Sequence, residues 1–155
     1  MRQNLVKCEQ PMDTGLALGL GSVAIARWNL KGVQVSDYIP TSHPKLKETL
    51  AKGKPIVLTF STVWHCNDCA RQMDNLEPIK KAVGDQVTFV HIQTYFGSED
   101  DKRAVREFSV RGEPWTYLID SNGKVLAILH GYANEHELER ALKKHFHSIL
   151  RVSEK

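Results

Sequence analysis

The spacing of apolar positions changes several times along the chain, and each change marks an element. Pro55-Ile56-Val57-Leu58-Thr59-Phe60 is a continuous run of apolar and β-branched residues, the pattern of a buried strand. Over residues 70–83 the period lengthens and places Met73, Leu76, Ile79 and Val83 on one face, which predicts a helix. Pro78 lies inside that helix and is expected to bend or divide it. Upstream, Ser42 can cap a helix from about Pro44 to Ala51 that turns Leu46 and Leu50 inward and ends at Gly53. Gly84 stops the longer helix, and residues 87–92 form the next strand. Ser98, with Asp101 three positions on, starts another helix carrying Val105 and Phe108.

Residues 115–120 and 124–129 flank Ser121-Asn122-Gly123 and read as a hairpin with an Asn-Gly turn. Asn134 and Glu137 open a final helix with Leu138, Ala141, Leu142, Phe146 and Ile149 inward. The order is helix, strand, helix, strand, helix, hairpin, helix. It predicts an α/β layered domain with helices on both faces of a mixed sheet.

Composition sharpens this picture in two places. At 155 residues the chain suits a single core, and 41% hydrophobic with 25% charged residues is ordinary for a globular domain. The formal charge of +3 is mild, and Lys and Arg are scattered among Asp and Glu, so nucleic acid is not an expected partner. Three cysteines, Cys8, Cys66 and Cys69, are too few for a disulfide-stapled scaffold.

Residues 1–40 form an N-terminal extension, residues 41–150 the main domain, and residues 151–155 a C-terminal tail. Within the extension, the apolar, glycine-rich run 15–26 is too short to span a bilayer, which takes about 20 residues. Three readings stay open for it: a folded β-hairpin, an export signal or weak anchor, and disorder. A cytoplasmic or a periplasmic location hangs on that choice. Cys8 is either a second resolving thiol or a plain free thiol.

The chemistry sits at Cys66-Asn67-Asp68-Cys69, where the buried strand gives way to the helix. Unpaired backbone N–H groups and the positive end of the helix dipole face the first sulfur there. That field favours the thiolate, the species that attacks disulfides. A redox-active dithiol is the leading reading.

The element order, Trp64-His65-Cys66-Asn67-Asp68-Cys69, and Val110-Arg111-Gly112-Glu113-Pro114 running into the hairpin together resemble the thioredoxin family over about residues 46–146. A lone Cys-x-x-Cys also suits zinc, but no second such pair is present to complete a zinc site. The resemblance implies a thioredoxin fold: a central mixed sheet flanked by helices, here with an N-terminal extension. It implies a cis bond before Pro114, a small penalty of about 0.5–1 kcal/mol for an X–Pro bond, that turns the backbone at Glu113 toward the sulfurs.

It further implies a substrate groove drawing on Trp64, His65, Asn67, Asp68, Glu113, Pro114, His130 and Gly131. Cys66 would attack, Cys69 would resolve the mixed disulfide, and the Cys66–Cys69 disulfide would be the only redox group, with no metal and no further cofactor. The expected partners are disulfide-bearing proteins and a reductase or membrane electron donor, acting on a monomer.

Several residues depart from the family pattern. Asp68 and Glu113 place carboxylates where they oppose a negative Cys66 sulfur, which favours reduction of substrates over their oxidation. His65 acts the other way when protonated. Thr59 stands where the family has a buried carboxylate, and His91 where it often has a lysine, making His91 a candidate proton relay for Cys69. The functions weighed on these residues are a protein disulfide reductase, an extracytoplasmic thiol reductase similar to those serving cytochrome maturation, a copper or zinc carrier using Cys66, Cys69 and His65 or His91, and a redox-silent interaction module.

Overall fold

The computed structural model describes residues 39–147. The N-terminal extension apart from Ile39 and Pro40, including the run 15–26 and Cys8, lies outside these residues, as do Ile149 and the C-terminal tail. Four helices and four strands follow in the order α1 (Pro44–Ala51), β1 (Ile56–Ser61), α2 (Asn67–Val83), β2 (Thr88–Gln93), α3 (Glu99–Glu107), β3 (Trp115–Ile119), β4 (Val125–His130) and α4 (Glu135–Phe146). A single 3-10 turn, Gly84–Gln86, joins α2 to β2. No helix among the described residues is long and apolar enough to cross a membrane.

The strands form one mixed sheet in the order β2-β1-β3-β4, with β1 parallel to β2 and antiparallel to β3, and β3 antiparallel to β4. All six residues of β1 are buried, as a continuous apolar run at the middle of a covered sheet requires. Its alternate side chains enter two cores. Ile56, Leu58 and Phe60 join Leu46 of α1 and Ala104 and Phe108 beside α3, while Val57 joins Leu76 and Ile79 of α2 and Leu138, Leu142 and Phe146 of α4. The expected α/β layering with helices on both faces is therefore present.

Local signals explain most element ends. At α3, Ser98 and Asp101 form a reciprocal capping box, and at α4 Asn134 and Glu137 do the same. In the β3–β4 turn, the Asp120 carboxylate accepts from the N–H groups of Asn122 and Lys124, and Gly123 adopts φ 86°, a left-handed conformation that glycine takes without a Cβ clash. Two expectations differ from what is found. Ser42 does not cap α1; its hydroxyl bonds Glu107, and His43 occupies the N-cap position without a side-chain cap bond. Pro78 does not divide α2, which runs unbroken through it with the proline on the exposed side.

Candidate active site

At the end of β1 the chain makes a tight loop in which the Thr62 carbonyl accepts from the N–H groups of both His65 and Cys66. The Thr62 hydroxyl accepts from the Tyr95 N–H and so ties this loop to the segment after β2. Cys66 then takes the N-cap position of α2 in extended conformation, and its Sγ accepts from the Cys69 N–H at 3.4 Å. The sulfur thus stands in for the oxygen of an ordinary N-cap residue, facing the donors and the positive dipole end of the helix.

Both thiols are shut in. Cys69 is 0% exposed, as the inward turn of the helix predicts, but Cys66 is only 1% exposed and does not stand open at a groove mouth. The acid that crowds them is Glu113. Its side chain is 3% exposed, and a carboxylate oxygen and the two sulfurs all lie within 4.8 Å of one another. Among the described residues, neither Glu113 oxygen accepts a hydrogen bond. Burial pushes the Cys69 thiol well above its ordinary pKa; the hydrogen bond with Cys66 and the Glu113 charge add to this, and a backbone hydrogen bond at Thr62 opposes it.

The two expected carboxylates therefore part company. Glu113 faces the sulfurs, whereas Asp68 is about half exposed and points to Arg71 at 3.9 Å. His65 Nδ1 lies 3.3 Å from Glu113 Oε1, while the side chain as a whole keeps 35% of its surface in solvent.

The Glu113–Pro114 peptide bond is cis. Beyond it, the Gly131 N–H donates to the Pro114 carbonyl at 2.8 Å, which brings the end of β4 to this corner. His130 lies flat on Trp115, with ring centroids 4.1 Å apart and planes 13° from parallel. Asn67 is exposed, and Trp64, 62% exposed, packs against Phe96 at 4.8 Å.

Phe96 was not singled out from the sequence, and neither was Tyr95. Phe96 holds a left-handed φ of 59° with its ring 71% exposed, and His65 packs edgewise between it and Tyr95. A large exposed ring held in a conformation that L residues seldom adopt is typical of a site under functional constraint. The signal available in the sequence was an aromatic pair directly before Gly97, with nothing to say that it folds over Trp64.

Beneath the dithiol, Thr59 and His91 are register partners on β1 and β2, as expected, but each is otherwise engaged. Thr59 Oγ1 bonds Thr116 Oγ1, which also accepts from Gln72 Nε2, and Gln72 Oε1 in turn accepts from the Ala133 N–H. His91 Nε2 sits 2.9 Å from Ser61 Oγ and 3.0 Å from the Ser61 carbonyl oxygen, on the strand rather than at the sulfurs.

A four-stranded mixed sheet with a dithiol at the head of a helix, set against a cis-proline, is the architecture of a dithiol exchange domain. Residues 43–146 match the thioredoxin-like domain, and the chain belongs to that family. It is similar to the thioredoxin-like protein YneN of Bacillus subtilis, 25% identical over 135 residues that cover 72% of this chain and 78% of that one. It is similar too to the thiol-disulfide oxidoreductase ResA of Geobacillus kaustophilus, 26% identical over 151 residues and covering 84% and 79% of the two chains. Among solved structures, Fasciola hepatica thioredoxin has the same fold, with a TM-score of 0.55 and 24% identity over 64% of this chain and 90% of that one.

Proposed function

We propose that this thioredoxin-like protein is a protein disulfide reductase working through Cys66 and Cys69. The observation that carries the direction is Glu113. Burial and the neighbouring Glu113 charge disfavour the Cys69 thiolate, and a pair whose reduced form is not stabilised gives up its electrons more readily. Cys66 at the helix head attacks a substrate disulfide and forms a mixed disulfide with one substrate sulfur. Cys69 then attacks Cys66 Sγ, the bond to the substrate sulfur breaks, and the second substrate thiolate leaves. Two electrons pass from the Cys66–Cys69 pair to the substrate. A partner reductase or membrane donor restores the dithiol.

The aromatic rim of Trp64, Phe96 and Tyr95 supports a polypeptide substrate with an apolar side chain beside its cysteine, since exposed rings around a buried reactive group make a docking face. Turnover of insulin reduction with dithiothreitol as donor tests the reading, and a potential at or below about −270 mV, the thioredoxin value, is expected. A potential near that of strong oxidants, about −120 mV, would reverse the direction.

A second reading has one observation behind it. Cys66, Cys69 and Glu113 converge closely enough for their ligand atoms to hold a soft divalent ion. Metal content of the reduced protein as purified separates the two: a stoichiometric ion that blocks insulin reduction favours a carrier.

A further inference from the structure

Resolution of the mixed disulfide demands a proton from Cys69, the thiol this fold makes least willing to give one up. Cys69 is wholly buried, and its burial and the Glu113 charge both resist ionisation. A base within reach must therefore assist. The centre of β1 offers none, because Thr59 is a hydroxyl bonded to Thr116, and the His91 Nε2 is held at Ser61. Glu113 remains. Its carboxylate lies within 4.8 Å of both sulfurs, and among the described residues neither of its buried oxygens has a donor hydrogen-bonded to it. An incoming proton gives that carboxylate the hydrogen-bonding hydrogen the fold otherwise denies it.

His65 completes a way out. Its Nδ1 is closed off from water and faces Glu113 Oε1 at 3.3 Å, while the ring as a whole is partly in solvent. Imidazole changes charge near neutral pH and carries protons on two nitrogens, so it suits a step between a dry carboxylate and water.

We propose that Glu113 takes the Cys69 proton as the mixed disulfide resolves, and that His65 passes that proton to solvent. This deepens the reductase reading and rests on it. The Cys69 S–H bond breaks as the Cys69–Cys66 S–S bond forms. The proton goes to a Glu113 oxygen and then to His65 Nδ1, and the electron pair of the broken mixed disulfide leaves on the substrate sulfur.

Among the described residues, the ionisable groups set against Glu113 are Cys66 and Cys69 at the head of α2 and His65 in the loop before it, with Tyr95 against the outer side of His65. Asp68 turns to Arg71, and His130 on β4 lies on Trp115.

The test is stopped-flow reaction of the reduced protein with dithiobis(nitrobenzoate), whose first thionitrobenzoate release reports attack by Cys66 and whose second reports resolution by Cys69. In Glu113→Gln the second release is expected to slow about tenfold or more near neutral pH, a conservative share of what a general base supplies, and to recover as pH rises. A merely electrostatic Glu113 gives the opposite sign: removing its charge frees the Cys69 thiolate and the second release speeds up, which overturns the proposal. His65→Ala is expected to slow the second release severalfold and to be rescued by added imidazole; an unaltered rate removes His65 from the path.

The unsubstituted protein supplies a check that needs no variant to fold. The second release, and not the first, should slow about twofold or more in heavy water if a proton is in flight at that step. No isotope effect on the second release sinks the idea. A protein that releases no thionitrobenzoate at all would instead overturn the exchange reading beneath it.

Discussion

On the sheet face covered by α1 and α3, β1 and β3 present Ile56, Leu58, Phe60, Tyr117 and Ile119, and the rings of Phe60, Phe108 and Tyr117 meet at centroid distances of 5.1–5.8 Å. Its one buried polar handle in that trio, the Tyr117 hydroxyl, donates to the Phe108 carbonyl, and burial pushes its pKa above the ordinary phenol value. On the opposite face, under α2 and α4, the same two strands carry Val57 and Leu118 but turn polar toward the dithiol, where Thr59 bonds Thr116 and Thr116 accepts from Gln72. One face is an apolar interior that supplies stability without directionality. The other adds to its own apolar core a connected set of hydrogen bonds, at the dithiol end, that ties α2 to the strands three residues beyond Cys69. Directional contacts are spent where atoms must be placed, and apolar ones where area suffices.

The sharpest way to test that division is to silence one face without loosening the other. Cys66→Ser should abolish insulin reduction while shifting the urea midpoint little, and Cys69→Ser should accumulate a mixed disulfide with substrate, visible by intact mass. Phe60→Ala strikes the apolar face. Truncating a fully buried phenylalanine is expected to cost about 3–5 kcal/mol of unfolding free energy, read from denaturant curves, with exchange rates unaltered while the protein stays folded.

Gln72→Ala strikes the polar face. It leaves the Ala133 N–H without its partner and strips a donor from Thr116, for about 1–3 kcal/mol, and it should also slow exchange because Gln72 lies one turn beyond Cys69. A stability loss with wholly unaltered kinetics would break the claimed link between this network and the dithiol.

Ser98→Ala, far from both faces, should cost about 1 kcal/mol through loss of a cap, with no effect on exchange. It carries a pH signature as well. Burial raises the Asp101 pKa, but bonds from the Ser98 N–H and hydroxyl and from His43 outweigh this and leave it below the ordinary carboxylate value. Because the folded pKa is depressed, Asp101 stabilises the fold above the unfolded pKa, about 3.9, and that share fades as pH falls through the folded value. The stability difference between the unsubstituted protein and Ser98→Ala should therefore shrink on acidification below about pH 4. A constant difference across that range would remove Asp101 from the account.

The contrast between the faces also marks what the chain made legible in advance. Signals that act over three or four residues survived into the structure: both capping boxes, the Asn-Gly turn, the helix from Pro44 to Ala51, and strands displaced by a single residue. Of the groups that meet at the dithiol, the cysteine pair stood out by type and spacing, His65 by its place beside Cys66, and Glu113 through the family resemblance. Their pairing did not. His65 and Glu113 are far apart in the chain, and nothing local says that one nitrogen of the first will meet one oxygen of the second. The same holds for Trp64 with Phe96 and for Thr59 with Thr116, because alternation along a strand tells which residues share a face but not which neighbour they meet. The near-complete burial of Cys66 was not legible for a related reason: how far a helix head is covered depends on a segment from elsewhere in the chain, here the one carrying Glu113.

That coverage has a consequence for survival as well as for catalysis. A thiolate left open to dissolved peroxide climbs through sulfenic to sulfinic acid, a state that ordinary reductants do not reverse. With 1% and 0% of their surface exposed, Cys66 and Cys69 offer little area to such an oxidant, and both are expected to oxidise more slowly than a free cysteine in water.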